Sequence, residues 1–317
     1  MNAAVVRAFD APPRYTTFVE PEAGAGEVIV RVSAAGLHPI VKSLANGTHY
    51  GSTGMLPSIP GVDGVGRLED GSRVYFGISR SPFGSFAERT VAAQGMYLPL
   101  PDGLDDATAA ASGNPAMSSW AALTLRAKFV SGESVLILGA TGVGGKLAVQ
   151  IAKRLGARRV IAAGRNPGAL EELKGLGADA VISLGLDKVA LVAAFRKEWA
   201  EAGGVNVVLD YLWGAPAEAI SQKGLQHSAA RIRFVQIGSS AGGTITLPAA
   251  VLRSTALEML GSGFGSASIE QIMQAVGEFF NEAAARPFEI ELERVALRDV
   301  EALWGGGNKG ARLVFQP

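Results

Sequence analysis

The stretch VLILGATGVGGKLAVQIAKRLGA, residues 135–157, decides the fold of this chain of 317 residues. Its first four residues, Val135 to Leu138, are apolar and predict a buried parallel strand, and a turn rich in glycine follows. Beyond the turn, Leu147, Ile151 and Leu155 recur every four residues, which predicts an amphipathic helix. Strand, glycine turn and helix in this order are typical of a dinucleotide-binding site, where main-chain N–H groups and the helix dipole bind a pyrophosphate.

Composition excludes several classes of function. Lys+Arg and Asp+Glu both number 29, so no net charge attracts nucleic acid or an anionic membrane. Cysteine is absent, which excludes disulfides, thiol catalysis and cysteine-ligated zinc. We see no signal peptide at the start, and no apolar run reaches the roughly 18 residues of a membrane span. We therefore expect a cytoplasmic protein with a small-molecule substrate.

The pattern changes along the chain and predicts an α/β fold. Residues 1–117 read as β-rich, with EVIVRVSAAG alternating from Glu27 and a hairpin turn at Asp70–Gly71. In residues 118–265, strands alternate with helices, which is typical of a doubly wound parallel sheet. A helix from Ile269 and a last strand from Arg312 are expected in residues 266–317. Further strands are expected at 159–164, 180–183, 205–210 and 232–238, and TITLP (244–248) as a strand edge.

Three nucleotide-binding patterns compete for the glycine turn. A phosphate loop needs glycine where Ala140 stands and Ser or Thr where Leu147 stands. A short-chain reductase needs glycine in place of Lys146 and a Tyr-x-x-x-Lys motif that this sequence lacks; the looser GATGxxG pattern does match, but about 130 residues precede it. We favour a dinucleotide fold in which Ala140, Gly142 and Gly145 occupy the three glycine positions.

The residues after the second parallel strand indicate which dinucleotide binds. An NAD enzyme needs Asp or Glu there for the ribose hydroxyls, whereas this chain has Gly164 and then Arg165. A carboxylate would repel a 2′-phosphate, and an arginine can pair with it. The sequence therefore predicts NADPH as the cofactor, with a solvated surface charge as the alternative role for Arg165.

Four segments of the chain together resemble one family. They are GLHP (36–39), PGVDGVG (60–66), GSFAE (84–88), and the glycine turn continued by AVQIAK (148–153). Over nearly its whole length the chain resembles the zinc-independent quinone oxidoreductase branch of the medium-chain dehydrogenase/reductases. The resemblance implies a GroES-like β-rich catalytic domain from residues 1–117 and 266–317. It also implies an inserted Rossmann-type domain, a doubly wound parallel sheet, at 118–265, and a cofactor cleft at the junction.

The resemblance also implies the residues that bind the cofactor. The pyrophosphate is expected at Ala140, Thr141, Gly142, Val143, Gly144 and Gly145, and the adenosine phosphate at Gly164, Arg165 and Asn166. The nicotinamide is expected near Gly238, Ser239, Gly263, Phe264 and Gly265, with Ser118 where the family has Thr. Arg312 is either a further cofactor contact or a surface charge.

The family reaction transfers a hydride to a quinone or to the β-carbon of an α,β-unsaturated carbonyl compound. Charge then builds on a carbonyl oxygen, so a donor is needed. His38 and Tyr50 are the catalytic candidates, against the alternatives of a histidine bonded to backbone carbonyls and a tyrosine that packs or forms a lid. His38 replaces the usual Asn, Val41 the usual Asp and Ala45 the usual Arg, so the substrate differs from an ordinary quinone if these positions select it.

Zinc-dependent relatives use cysteine ligands, and with no Cys and 3 His neither of their zinc sites can form, so no metal is expected. Two other functions stay open: reduction of an enoyl thioester, and NADPH binding without turnover in a sensor or structural protein. A homodimer is implied by family analogy alone.

Overall fold

The computed structural model describes residues 1–221, 231–263, 265–306 and 310–317. It divides into two compact units, one formed by Met1–Asn114 with Ile269–Pro317 and the other by Pro115–Ser268. The chain thus leaves the first unit, builds the second, and returns. The units divide after Asn114 and Ser268, whereas the domains predicted from the sequence divide after residues 117 and 265.

The strands are numbered in chain order. Those of the described residues are β1 (Asn2–Val5), β2 (Arg14–Thr17), β3 (Glu27–Gly36), β4 (Asp63–Arg67), β5 (Arg73–Gly77), β6 (Arg89–Ala93), β7 (Tyr97–Pro99), β8 (Ser134–Leu138), β9 (Arg159–Gly164), β10 (Ala180–Ser183), β11 (Val207–Asp210), β12 (Ile232–Gln236), β13 (Leu257–Gly261), β14 (Leu292–Ala296) and β15 (Arg312–Gln316). The predicted strands of the parallel sheet are therefore present, with ends shifted by up to two residues.

The helices are numbered in the same way. Those of the described residues are α1 (Pro39–Ala45), α2 (Asp106–Ala121), α3 (Val143–Arg154), α4 (Pro167–Gly175), α5 (Lys188–Glu201), α6 (Gly214–Ile220), α7 (Ala249–Ser254), α8 (Ile269–Ala285) and α9 (Val300–Leu303). A π-helical segment, Ala122–Arg126, continues α2, and a 3₁₀ turn, Leu297–Asp299, precedes α9. In the described part of the chain, no helix combines the length and apolar character that crossing a membrane requires.

The first unit is rich in β-structure. Its described strands form the pair β1–β2 and a seven-stranded sheet of order β14-β15-β3-β4-β5-β7, with β6 also paired to β3. All of these pairs are antiparallel except β14–β15. The predicted turn joins β4 to β5, and Gly71 there has φ +86, a left-handed conformation that favours glycine.

The second unit contains the predicted parallel sheet. Across the described strands its order is β10-β9-β8-β11-β12-β13, and all pairs are parallel. Each residue of β8 is buried, as expected for a central parallel strand. The chain runs from β8 to β9 and β10, then returns to β11 on the other side of β8. The order therefore reverses between β8 and β11, the kind of point at which doubly wound sheets bind ligands.

One predicted element is absent. Residues 244–248 are described and form no strand, so the prediction of a strand edge at TITLP was wrong. The N–H of Thr246 donates to the Glu218 carboxylate at 2.7 Å, which removes it from any ladder. Pro248 has no N–H and begins α7 as its N-cap. The outer strand of the sheet on this side is β13 instead.

Candidate functional site

The glycine turn takes the chain from β8 into α3. Gly139 has φ +90, so a side chain there would be strained. The N–H groups of Gly139 and Ala140 both donate to the carbonyl of Ala163 at 2.9 Å, which ties the turn to the neighbouring strand β9. The sequence therefore forms a tight, anchored turn at the carboxyl edge of the sheet.

The first turn of α3 presents main-chain donors. Gly142 is its N-cap, with extended backbone, and no described side chain caps the helix. The N–H groups of Val143 and Gly144 have no acceptor within the helix, because the first turn of any helix lacks one. These donors and the positive end of the helix dipole favour a bound anion.

The glycines of the turn differ in the space around them. A Cβ on Gly145 would lie 2.4 Å from the Gly139 carbonyl oxygen, so the helix packs against the turn only because this residue is glycine. A Cβ on Gly142 would have the same oxygen at 3.9 Å as its nearest neighbour. Gly145 thus serves packing, and Gly142 leaves an open approach to the backbone, as a pyrophosphate requires.

The end of β9 carries the groups that the sequence assigned to the adenosine phosphate. A Cβ on Gly164 would lie 2.4 Å from the Thr141 Cγ2, so no acidic side chain fits there without moving Thr141. Arg165 is exposed, and no hydrogen bond or ion pair to another described residue engages it. Asn166 caps α4 by accepting the Ala169 N–H at 3.2 Å. Arg165 is therefore exposed to solvent with its donors available.

The residues assigned to the nicotinamide side lie after β12 and β13. Gly238 donates its N–H to the Asp210 carbonyl at 3.1 Å, and Ser239 is exposed. Gly263 and Gly265 are exposed glycines after β13, and the Ser118 hydroxyl donates to the Pro115 carbonyl at 2.9 Å. Phe264 lies outside the described residues.

Tyr211 connects several of these groups, and sequence reasoning did not select it. Its Cβ lies 3.2 Å from where a Gly139 Cβ would be, and its Cε1 lies 3.9 Å from where a Gly144 Cβ would be. Its hydroxyl donates to the Ser118 carbonyl at 3.4 Å, and burial raises the pKa of the phenol. The available signal was its position directly after the strand that ends at Asp210, beside the point where the strand order reverses.

Asp210 shapes the turn that follows β11. Its Oδ1 accepts the N–H groups of Leu212 at 2.8 Å and Trp213 at 3.0 Å, so it acts as a cap. Its Oδ2 is buried without a partner in the described structure, and burial raises the pKa of the carboxyl to about 6. Trp213 has φ +58, a strained backbone for a residue with a large side chain.

His38 lies inside the first unit. Its side chain is 0% exposed, and its Nε2 is 3.5 Å from the Asp63 Oδ1. Burial, together with the positive charge of Arg312, holds the pKa of His38 well below its usual value, so the imidazole is neutral. Burial raises the pKa of Asp63 to about 7, although the Tyr75 hydroxyl donates to its Oδ2 at 2.8 Å.

Arg312 completes this buried polar cluster, which we define as His38, Asp63, Tyr75 and Arg312. Its Nη1 donates to the Leu37 carbonyl at 2.7 Å, and burial lowers the pKa of the guanidinium to about 10. Tyr50, in contrast, is 76% exposed, and its ring stacks on His49 with the centroids 4.2 Å apart. The structure therefore separates the two catalytic candidates: one is enclosed, and the other is open to solvent.

Comparison with known proteins places these features in a family. A family model described as zinc-binding dehydrogenase matches residues 142–281. A probable NADPH-dependent quinone reductase of Emericella nidulans is 28% identical over the full length of both chains. A quinone oxidoreductase of Thermus thermophilus, solved also in complex with NADPH, is 28% identical, with a TM-score of 0.81 and full coverage of both chains. An NADPH-dependent alkenal/one oxidoreductase of Arabidopsis thaliana is 30% identical over 53% of this chain and 47% of its own.

The chain belongs to the quinone oxidoreductase branch of the medium-chain dehydrogenase/reductase superfamily. The predicted family and the α/β fold class are thus confirmed. The name of the matching family model refers to zinc, but this member of the superfamily has no cysteine. Within the described residues, no three His, Asp or Glu side chains come together as a metal site would require.

Proposed function

We propose that this protein is an NADPH-dependent, zinc-independent oxidoreductase that transfers a hydride to a quinone or to an α,β-unsaturated carbonyl compound. The observation that carries the proposal is the uncapped start of α3 at the glycine turn, with open space at Gly142 and an available arginine at the end of β9. The names of the relatives, which include NADPH-dependent quinone and alkenal reductases, support the same activity.

The residues present fit NADPH. In this proposal, residues 140–145 bind the pyrophosphate through main-chain N–H groups, and Gly142 allows its close approach. Arg165 pairs with the 2′-phosphate, while Gly164 and Thr141 leave no room for the carboxylate that would repel it. Gly238, Ser239, Gly263, Gly265 and Ser118 are the proposed contacts on the nicotinamide side, and Arg312 is a proposed further contact.

When bound, NADPH supplies the hydride. The chain's own task is then to orient the substrate and to stabilise the charge that develops on its carbonyl oxygen. Tyr50 is the proposed donor, because its phenol is accessible. The His38 side chain is enclosed and makes no capping hydrogen bond to α1, so we propose that it acts from inside the first unit through its contact with Asp63 and not by touching the substrate.

The proposal also includes location and assembly. A neutral chain without a predicted membrane span suits a cytoplasmic enzyme with a small-molecule substrate. We propose a homodimer, for which the outer strand β13 offers unpaired backbone groups at the edge of the sheet. Light scattering coupled to size-exclusion chromatography measures the assembly directly, and a monomer at micromolar concentration would contradict this part.

Calorimetric titration with NADPH and NADH tests the cofactor. We expect NADPH to bind at least about tenfold more tightly, since one charge-assisted contact to the 2′-phosphate is lost with NADH. Arg165→Ala should weaken NADPH by about the same factor and leave NADH unchanged. Arg196→Ala, which removes an exposed cation from helix α5 of the same unit, is the matched control. Equal affinities of the wild type for the two dinucleotides would contradict the role of Arg165.

Oxidation of NADPH over a panel of quinones, enones and enoyl thioesters tests the reaction. Turnover with quinones or enones supports the proposal, and turnover confined to enoyl thioesters would replace it with thioester reduction. Tight NADPH binding with no turnover across the panel would instead identify a binding protein. Tyr50→Phe should lower turnover without changing NADPH affinity.

A further inference from the structure

Tyr211 lies where the ends of two neighbouring strands of the parallel sheet meet. It is the first residue after β11, and Gly139 is the first residue after β8, its neighbour in the sheet. The tyrosine side chain crosses from one strand end to the other and reaches Gly144, the second residue of α3. Its ring therefore lies beside the same helix start that presents the free main-chain N–H groups.

The backbone around Tyr211 is fixed without help from its ring. The Asp210 carboxylate holds the N–H groups of Leu212 and Trp213. The Tyr211 carbonyl accepts a hydrogen bond from the Ser240 hydroxyl at 3.1 Å, and this bond joins the loop after β11 to the loop after β12. A Cβ on Gly238 would lie 2.7 Å from that same carbonyl oxygen, so the two segments are in close contact. None of these hydrogen bonds involves the Tyr211 ring.

The turn after Tyr211 contains a strained backbone. Trp213 has φ +58 and Gly214 also has φ +58. A Cβ on Gly214 would lie 2.8 Å from the Ala241 carbonyl oxygen, so only glycine fits after the strained tryptophan. Such strain persists only where surrounding contacts impose it, and it is often found at ligand sites.

The order of the strands determines which part of a bound dinucleotide would lie beside the Tyr211 ring. Arg165 follows β9 on one side of β8, and Tyr211 follows β11 on the other. A ligand whose 2′-phosphate lies at Arg165 and whose pyrophosphate lies at the start of α3 must continue toward β11. The portion beyond the pyrophosphate is the nicotinamide riboside.

We propose that Tyr211 is the wall of the cofactor site on the nicotinamide side, contacting the nicotinamide riboside of NADPH through its ring. The ring lies beside Gly139 and Gly144, which have no side chains to cover it, and Tyr211 is only half-buried. An aromatic face excludes water from the riboside and restricts its orientation. The Tyr211 hydroxyl donates to the Ser118 carbonyl, and this hydrogen bond helps to orient the ring. The inference rests on the proposed binding of NADPH.

The test compares two ligands that share only one half. NADPH contains the nicotinamide riboside, and 2′,5′-ADP contains the adenosine with its 2′-phosphate and lacks the riboside. In calorimetric titrations of the ligand-free protein, Tyr211→Ala should weaken NADPH about tenfold and change 2′,5′-ADP by less than about twofold. Tyr211→Phe, which keeps the ring, is the matched control and should bind both ligands within about threefold of the wild type.

The melting temperature of each ligand-free variant separates binding from folding. Equal weakening of both ligands by Tyr211→Ala, or unchanged NADPH binding, would overturn the inference while the proposed function stands. Loss of both ligands with a collapsed melting transition would show a structural role for the ring and would also overturn it. If the wild type bound neither ligand, the proposed function itself would fail, and the inference with it.

Discussion

The two units of this protein contain polar sites of opposite construction. In the second unit, the glycine turn offers main-chain N–H groups at an uncapped helix start, with open space beside Gly142. In the first unit, His38, Asp63 and Tyr75 are side chains at 0%, 1% and 0% exposure. The main-chain donors of the glycine turn are open to a ligand. In the enclosed cluster, by contrast, buried atoms of His38, Asp63 and Arg312 have no hydrogen-bond partner in the described structure. We therefore expect cofactor affinity to depend on the glycine turn and pH-dependent stability to depend on the buried polar cluster.

The largest expected effect separates packing from binding within the glycine turn. Gly145→Ala places a Cβ 2.4 Å from a backbone oxygen that cannot move away easily. We expect the free energy of unfolding to fall by about 3 kcal/mol, measured by urea denaturation followed by circular dichroism. NADPH binding should be lost together with stability.

Gly142→Ala is the matched variant at the open position. Its φ of −81 suits alanine, and its Cβ would meet nothing closer than 3.9 Å. The ligand-free variant should keep the wild-type stability within about 0.5 kcal/mol, while its methyl group blocks the approach of the pyrophosphate and weakens NADPH. Equal destabilisation by both substitutions would contradict the division of roles between the two glycines.

The next effect comes from Asp63 in the buried polar cluster. Its pKa is about 7 in the folded protein and 3.8 for an ordinary Asp, so the folded state holds a proton that the unfolded state has released. The contribution of Asp63 to stability should therefore fall as pH rises from about 4 to 7. Asp63→Asn removes this loss, worth about 2–3 kcal/mol between pH 5 and 7.

Denaturation of Asp63→Asn and wild type at pH 5 and pH 7 measures that difference. The Asn side chain retains an oxygen that can accept the hydrogen bond from the Tyr75 hydroxyl, so we expect the variant to fold. A wild type and a variant with parallel pH profiles would show that Asp63 stays ionised beside Arg312 throughout the range.

The smallest effect comes from His38 and has the opposite sign. Its pKa lies well below 6.5 in the folded protein, so below that pH the unfolded state binds a proton that the folded state refuses. The contribution of His38 to stability is therefore lost as pH falls below 6.5. His38→Asn should remove this loss, whatever its effect on absolute stability. If the variant lost stability at low pH as the wild type does, the loss would belong to a group other than His38.

The glycine turn was predictable because its determinants are local. A buried strand, glycines at set positions and an amphipathic helix are all contained in residues 135–157. The hairpin at Gly71 was predictable for the same reason. A strand edge was expected at residues 244–248, but the Glu218 side chain accepts a backbone N–H there, and that contact is not visible in the local sequence.

The buried polar cluster could not be derived from local patterns. Asp63 and Arg312 are separated by almost the whole chain, and only the pairing of β15 with β3 and β3 with β4 brings these strands together. Tyr211 was missed for a related reason. Its importance depends on β11 being the neighbour of β8, which is a property of strand order and not of the residues around Tyr211.

The donors at the start of α3 belong to the main chain, and this has a consequence for mutational tolerance. Exchanging Val143 or Thr141 for another residue returns the same N–H group in the same place, provided that the turn still forms. A screen of single substitutions should therefore find the exposed positions of this segment permissive and the glycines and the buried Ala140 sensitive. Exposed side chains of the turn could therefore differ between related chains without loss of the main-chain donors. The space that the glycines leave beside those donors could not be filled without blocking the ligand.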